Sequence, residues 1–155
     1  MRRLGFILAL SGLGFGCGHP QDEGAYRLTL GTVVRDECGL AARDDLVKAF
    51  TLTIAGERLY ADYSLFDLQL VGAFRDSPLF EPSEQFTMDG SAANVTSPVN
   101  GQDCLLDLVT AHLEATTGRN PVTFAGALRV KLDTRRPEAC VCEFMANIDA
   151  QRSGP

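Results

Sequence analysis

The chain has 155 residues, 45% of them hydrophobic, with 14 basic against 20 acidic side chains and a formal net charge of −6. That length suits one ordinary domain, and the acidic balance excludes a surface built to grip a phosphate backbone, so no nucleic-acid partner is expected. Tryptophan is absent, which removes indole stacking as a platform for carbohydrate.

The first element is an export signal. Arg2 and Arg3 precede an uncharged run from Leu4 to Gly16, and Cys17 closes it. A basic start followed by a short apolar stretch is the form of a secretory signal peptide. A spanning helix needs roughly 20 apolar residues, more than this run offers. Leu13, Gly14, Phe15 and Gly16 lead into Cys17, and the segment resembles the signal sequence of a bacterial lipoprotein. The resemblance implies cleavage before Cys17, diacylglycerol and palmitate-type acylation at that residue, and a membrane as partner through the lipid. Gly18 in place of an aspartate implies sorting to the periplasmic face of the outer membrane. Ordinary secretory cleavage would cut the same bond, because Gly14 and Gly16 satisfy the small-x-small rule. Residues 1–16 are therefore expected to be signal peptide, and the remaining 139 residues carry a charge of −8 once Arg2 and Arg3 are gone.

Residues 17–24 read as the lipidated N-terminus and a polar tether, since Gly18 to Gly24 holds breakers and charges. Residues 25–151 then alternate apolar and polar with the period of half-buried strands. Tyr26, Leu28, Leu30, Thr32 and Val34 are expected on one face of the first strand. Phe50, Leu52 and Ile54 form a second, and a turn at Ala55-Gly56-Glu57 leads into Leu59, Ala61 and Tyr63. Phe66, Leu68, Leu70, Gly72 and Phe74 form a fourth. Asp76 to Glu84, with two prolines, reads as a loop.

Phe86 and Met88 suggest a short strand ending at the hairpin dipeptide Asp89-Gly90. Residues 91–103, with Pro98 and Asn100-Gly101, read as turns. Cys104 to Glu114 changes parity partway, which fits a strand with a bulge. A loop at 116–121 leads to Val122, Phe124, Gly126, Leu128, Val130 and Leu132. After a turn at 135–138, Cys140, Cys142, Phe144, Ala146 and Ile148 alternate again, and residues 152–155 form a disordered tail.

About eight strands with one apolar face each must bury that face against something. No long helix is evident to cover them. The expected fold class is therefore all-β, a single small antiparallel barrel or sandwich of meandering strands. Gly72 and Gly126, in mid-strand on the apolar face, permit sharp bends and favour the barrel. The plan resembles lipocalin-like small β-barrels, a likeness at the level of fold alone.

Five cysteines are present, and lipidation of Cys17 would leave Cys38, Cys104, Cys140 and Cys142 for two disulfides. Cys140 and Cys142 share a strand face and would strain if bridged to each other. Each is expected to reach a separate partner, one Cys38 and one Cys104, with the pairing left open. Zinc or redox chemistry on Cys-Val-Cys is disfavoured, because redox pairs usually have two residues between the thiols and zinc needs four ligands.

Candidates for chemistry are few. His112 is the domain's one histidine beyond the tether's His19, with no orienting acid or nucleophile evident. The acidic pairs lack the spacing of a calcium loop. Tyr60, Tyr63 and Phe66, with Phe74, Phe80 and Phe86, could line a pocket at a barrel mouth, although core packing is the default for such rings. The resulting expectation is a non-enzymatic, lipid-anchored envelope module, with no cofactor and no metal, serving in binding or structure. Its partner would be an envelope protein or a small apolar ligand. Two alternatives stay open: a carrier holding an apolar ligand in the barrel mouth, or a small hydrolase with its acid pair among Asp62, Asp67 and Glu84.

Overall fold

Alternation along the chain becomes inside and outside of a closed sheet. In a computed structural model, which describes residues 20–75, 84–135 and 138–154, eight strands follow in chain order. They are β1 (Gly24–Asp36), β2 (Phe50–Ala55), β3 (Arg58–Tyr63), β4 (Leu68–Phe74), β5 (Gln85–Val99), β6 (Gln102–Thr117), β7 (Thr123–Asp133) and β8 (Cys142–Arg152). A single turn of helix, α1 (Asp45–Lys48), lies between β1 and β2. Each strand pairs with its sequence neighbours, and β8 pairs antiparallel with β1, closing an all-β barrel. Cys17 and Phe80, together with residues 1–16, lie outside the described residues.

The interior is filled by rings. Phe124 of β7 lies 5.2 Å from Tyr26, 5.7 Å from Phe50 and 5.4 Å from Phe86, centroid to centroid. Phe50 meets Tyr63 edge-on at 5.7 Å, and Phe86 meets Phe74 at the same distance. Outward positions such as Arg27, Thr51, Asp62, Gln69, Glu114, Arg129, Lys131 and Asp149 are exposed. A barrel that crossed a membrane would carry the opposite pattern, apolar outside and polar within.

Gly72 and Gly126 sit where the backbone of a neighbouring strand comes too close for a side chain. A Cβ on Gly72 would overlap the carbonyl oxygen of Thr87, and one on Gly126 would overlap that of Glu114. Both obstacles are backbone of the neighbouring strand, which cannot step aside without breaking its ladder. We expect G72A to destabilise the barrel by about 3 kcal/mol, the upper range for overpacking. G56A, at a turn with nothing within 4 Å, should lose less despite its φ of +62°. Urea midpoints of the two variants would check the order.

Several local expectations are corrected. Asp89-Gly90 is not a turn: β5 continues to Val99, so residues 91–99 pair along β6 and only Asn100-Gly101 of the 91–103 stretch forms a turn. Their small side chains have weak strand preference, but Ser91, Ala92 and Ala93 face Thr110, Val109 and Leu108, and cross-strand packing outweighs propensity. The hairpin turns at Asn100-Gly101, whose φ values of 51° and 79° suit the left-handed pair of a type I′ turn.

The parity change in β6 is present, with Leu106 and Val109 both inward. It needs no one-sided bulge. Ala93 still faces Leu108 and Val95 still faces Leu106, because β5 changes face at the same level through Asn94, at φ 57°.

β1 keeps Tyr26 and Leu28 inside, but Thr32 and Val34 are exposed. Beyond Tyr26 it no longer pairs with β2, and its register against β8 shifts on both sides of Val33. Without that second neighbour the strand is free to twist out of the barrel wall. Phe66 belongs to no strand. It and Asp67 have φ of 54° and 51° in the reversal between β3 and β4. Cys140 closes a short 3₁₀ turn (Glu138–Cys140) just before β8.

Both disulfides form. Cys38 joins Cys142 with Cα atoms 5.4 Å apart, and Cys104 joins Cys140 at 5.9 Å. Both sit at the end of the barrel opposite Gln21 and Gly24.

Candidate functional site

Tyr60, Tyr63 and Phe66, expected to share a pocket, point to different places. Tyr63 points inward and is buried, while Tyr60, three residues earlier in β3 and so on the opposite parity, is 39% exposed on the outer face. Phe66 sits under the guanidinium of Arg43, 4.7 Å from its ring centroid. The three carboxylates of the hydrolase alternative are also divided. Asp62 and Asp67 line a shallow groove near Ser64 and Gln69. Glu84 lies at the other end of the barrel, where its carbonyl accepts from the Thr117 amide.

Tyr63 has a structural task. Its hydroxyl donates to the Leu46 carbonyl at 2.6 Å, tying α1 to the barrel. Burial, with a smaller contribution from the Asp45 charge, pushes its ionisation well above the ordinary value of 10.0. In the unfolded chain the phenol would lose its proton near pH 10. A raised folded pKa means that the native state binds more protons above that pH, so this contribution to stability is intact below pH 10 and falls as pH rises beyond it. A Y63F variant should lose about 1 kcal/mol at neutral pH with the hydrogen bond. Its stability should also decline less steeply between pH 10 and 11.5, as urea unfolding followed by circular dichroism would report.

A different surface collects the polar chemistry. On the outer face of β5 to β8, register places Asp89 opposite His112 and His112 opposite Arg129. The next outward row runs Ser91, Thr110, Lys131 and Glu143. These residues line a groove of about 830 Å³ whose wall at the disulfide end is Glu37 and Val141. His112 Nδ1 lies 2.7 Å from Asp89 Oδ1. The orienting acid that the sequence did not reveal is therefore Asp89, one strand away. Arg129 Nε and Arg35 Nη1 each hold one oxygen of Glu143, at 2.5 Å and 2.8 Å. The Glu37 amide donates to the Glu143 carbonyl and the Glu143 amide donates to a Glu37 carboxylate oxygen. The Cys38–Cys142 bridge, adjacent to both residues, locks that wall.

Chemically the groove offers paired charges and an oriented imidazole, together with the Lys131 ammonium, which has no ion-pair partner among the described residues. Ser91 and Thr110 supply hydroxyls in the neighbouring row, and among the described residues no hydrogen bond joins either to His112. Among the described residues no cluster of three or more metal-ligating side chains occurs. Comparison with family models, curated proteins and solved structures finds no match.

Proposed function

We propose that the chain is an exported, lipid-anchored envelope protein whose barrel is a non-enzymatic binding module, with the outer groove from Asp89 to Glu143 as its binding face. The observation that carries the anchor is the cysteine pairing. Cys38, Cys104, Cys140 and Cys142 bond among themselves, which leaves the fifth cysteine, Cys17, outside those two bonds. Disulfides persist in oxidising compartments, so the same pairing supports export. Two acyl chains contribute about 0.8 kcal/mol per buried CH₂, enough to hold a domain whose outer surface is polar.

The ring cluster around Phe124 occupies the lumen that a carrier would need to keep open. Among the described residues no hydroxyl or thiol is hydrogen-bonded to the His112–Asp89 pair. Both observations favour a binding face on the outside over chemistry or storage within.

The test is direct. Wild type should take up labelled palmitate and fractionate with membranes, whereas C17S should take up none and appear in the soluble exported fraction. A C17S protein that remains membrane-bound, or a wild type without label, overturns the anchor.

A further inference from the structure

We infer that the barrel stands end-on, with the mouth that carries Gln21 and the 118–121 loop facing the bilayer and the disulfide end facing away. This rests on the acylation of Cys17 proposed above, and concerns which surface meets the lipid.

The first observation is reach. Four residue steps separate Cys17 from Gln21, a span of about 14 Å at full extension. β6 alone has sixteen residues, about 50 Å of strand. The Asn100-Gly101 turn and both disulfides lie at its far end, outside the tether's range.

The second observation is where the chain leaves the fold. Gln21 is buried. Its Nε2 donates to the Tyr26 hydroxyl at 2.6 Å and to the Pro121 carbonyl at 2.5 Å, and the Asp22 amide donates to the same carbonyl at 2.9 Å. Tyr26 belongs to β1 and Pro121 to the loop between β6 and β7. The segment is therefore pinned over the mouth and not along a flank, and a short tether from that point draws the mouth toward the membrane.

Arg58 and Arg119 on this rim have no ion-pair partner among the described residues and are exposed. They share it with Glu23, Glu57 and Glu84, so the tether sets the orientation and no polybasic attraction is required. The consequence is functional: the groove wall at Glu37 and Val141 is presented to the aqueous compartment, where a soluble partner can reach it.

Absence of tryptophan makes single-tryptophan probes unambiguous. Acylated full-length R119W and L105W would be reconstituted into phosphatidylcholine vesicles containing a dansyl-headgroup lipid. Arg119 lies in the mouth loop, and Leu105 is 59% exposed near the disulfide end. We expect several-fold greater energy transfer from R119W than from L105W. A flexible Gly-Ser insert of about ten residues after Gly18 should reduce that difference. Equal transfer from the two variants, or greater transfer from L105W, overturns the orientation while intact mass still shows acyl chains on Cys17. A mass without acyl chains overturns the anchor and the orientation together.

Discussion

F124A should lower the stability of the barrel by about 3–5 kcal/mol, the range for removing a buried ring. The position is at the upper end because Phe124 touches three other rings, from β1, β2 and β5, and so bridges the lumen. A domain of this size has about 5–15 kcal/mol in total, so one substitution would remove a large share of it. The midpoint of urea unfolding, followed by far-ultraviolet circular dichroism, gives the measurement. F124L should recover much of the loss by refilling volume without the ring contacts.

The same variant addresses ligand carriage. An apolar cavity of this kind stays dry and accepts a benzene-sized guest. Benzene should therefore raise the melting temperature of F124A and leave wild type unchanged. An equal rise in wild type would mean that the lumen already has room, and would restore the carrier reading.

Fold class was legible because most strands have a single buried face, and a period of two survives wherever both neighbouring strands are present. β2, β3, β7 and β8 obey it residue by residue. It fails in the outer half of β1, where the missing β2 partner releases Thr32 and Val34 from the interior. Pattern reading assumes a continuous wall on both sides, and nothing local to β1 reports that the wall has ended. Phe66 misleads for a related reason. Its spacing continues the strand, but the reversal before β4 consumes it in a left-handed conformation.

The groove was missed through a single turn assignment. Asp89-Gly90 and Asn100-Gly101 are both good hairpin dipeptides, and choosing the first ended β5 ten residues early. With the turn at Asn100-Gly101, counting outward along both strands sets Asp89 opposite His112. Parity then puts Arg129 beside them. What could have decided between the two dipeptides is the matched change of face in β5 and β6. Paired strands that switch together keep their register and so bury both new faces, whereas a loop over 91–103 would have left the apolar run of β6 without a cover.

C38A/C142A should cost about 5 kcal/mol and C104A/C140A about 4, from the chain entropy that each bridge removes from the unfolded state. The difference follows from sequence separations of 104 and 36 residues. Alanine is preferred to serine because all four sites are buried, and a hydroxyl there would add its own desolvation cost. Chemical denaturation of the two double variants gives the order directly. A second readout separates their roles. Only the first pair flanks Glu37 and Glu143, so hydrogen exchange at the Glu37 and Glu143 amides should rise in C38A/C142A and stay near wild type in C104A/C140A. Together the bridges amount to most of the stability expected of a domain this size. Expressed without residues 1–16 in a reducing cytoplasm, the barrel should be largely unfolded, and it should fold when the same chain is oxidised in vitro. The export proposed above and the staples at the far end are thus one requirement, since the fold depends on bonds that persist only in an oxidising compartment.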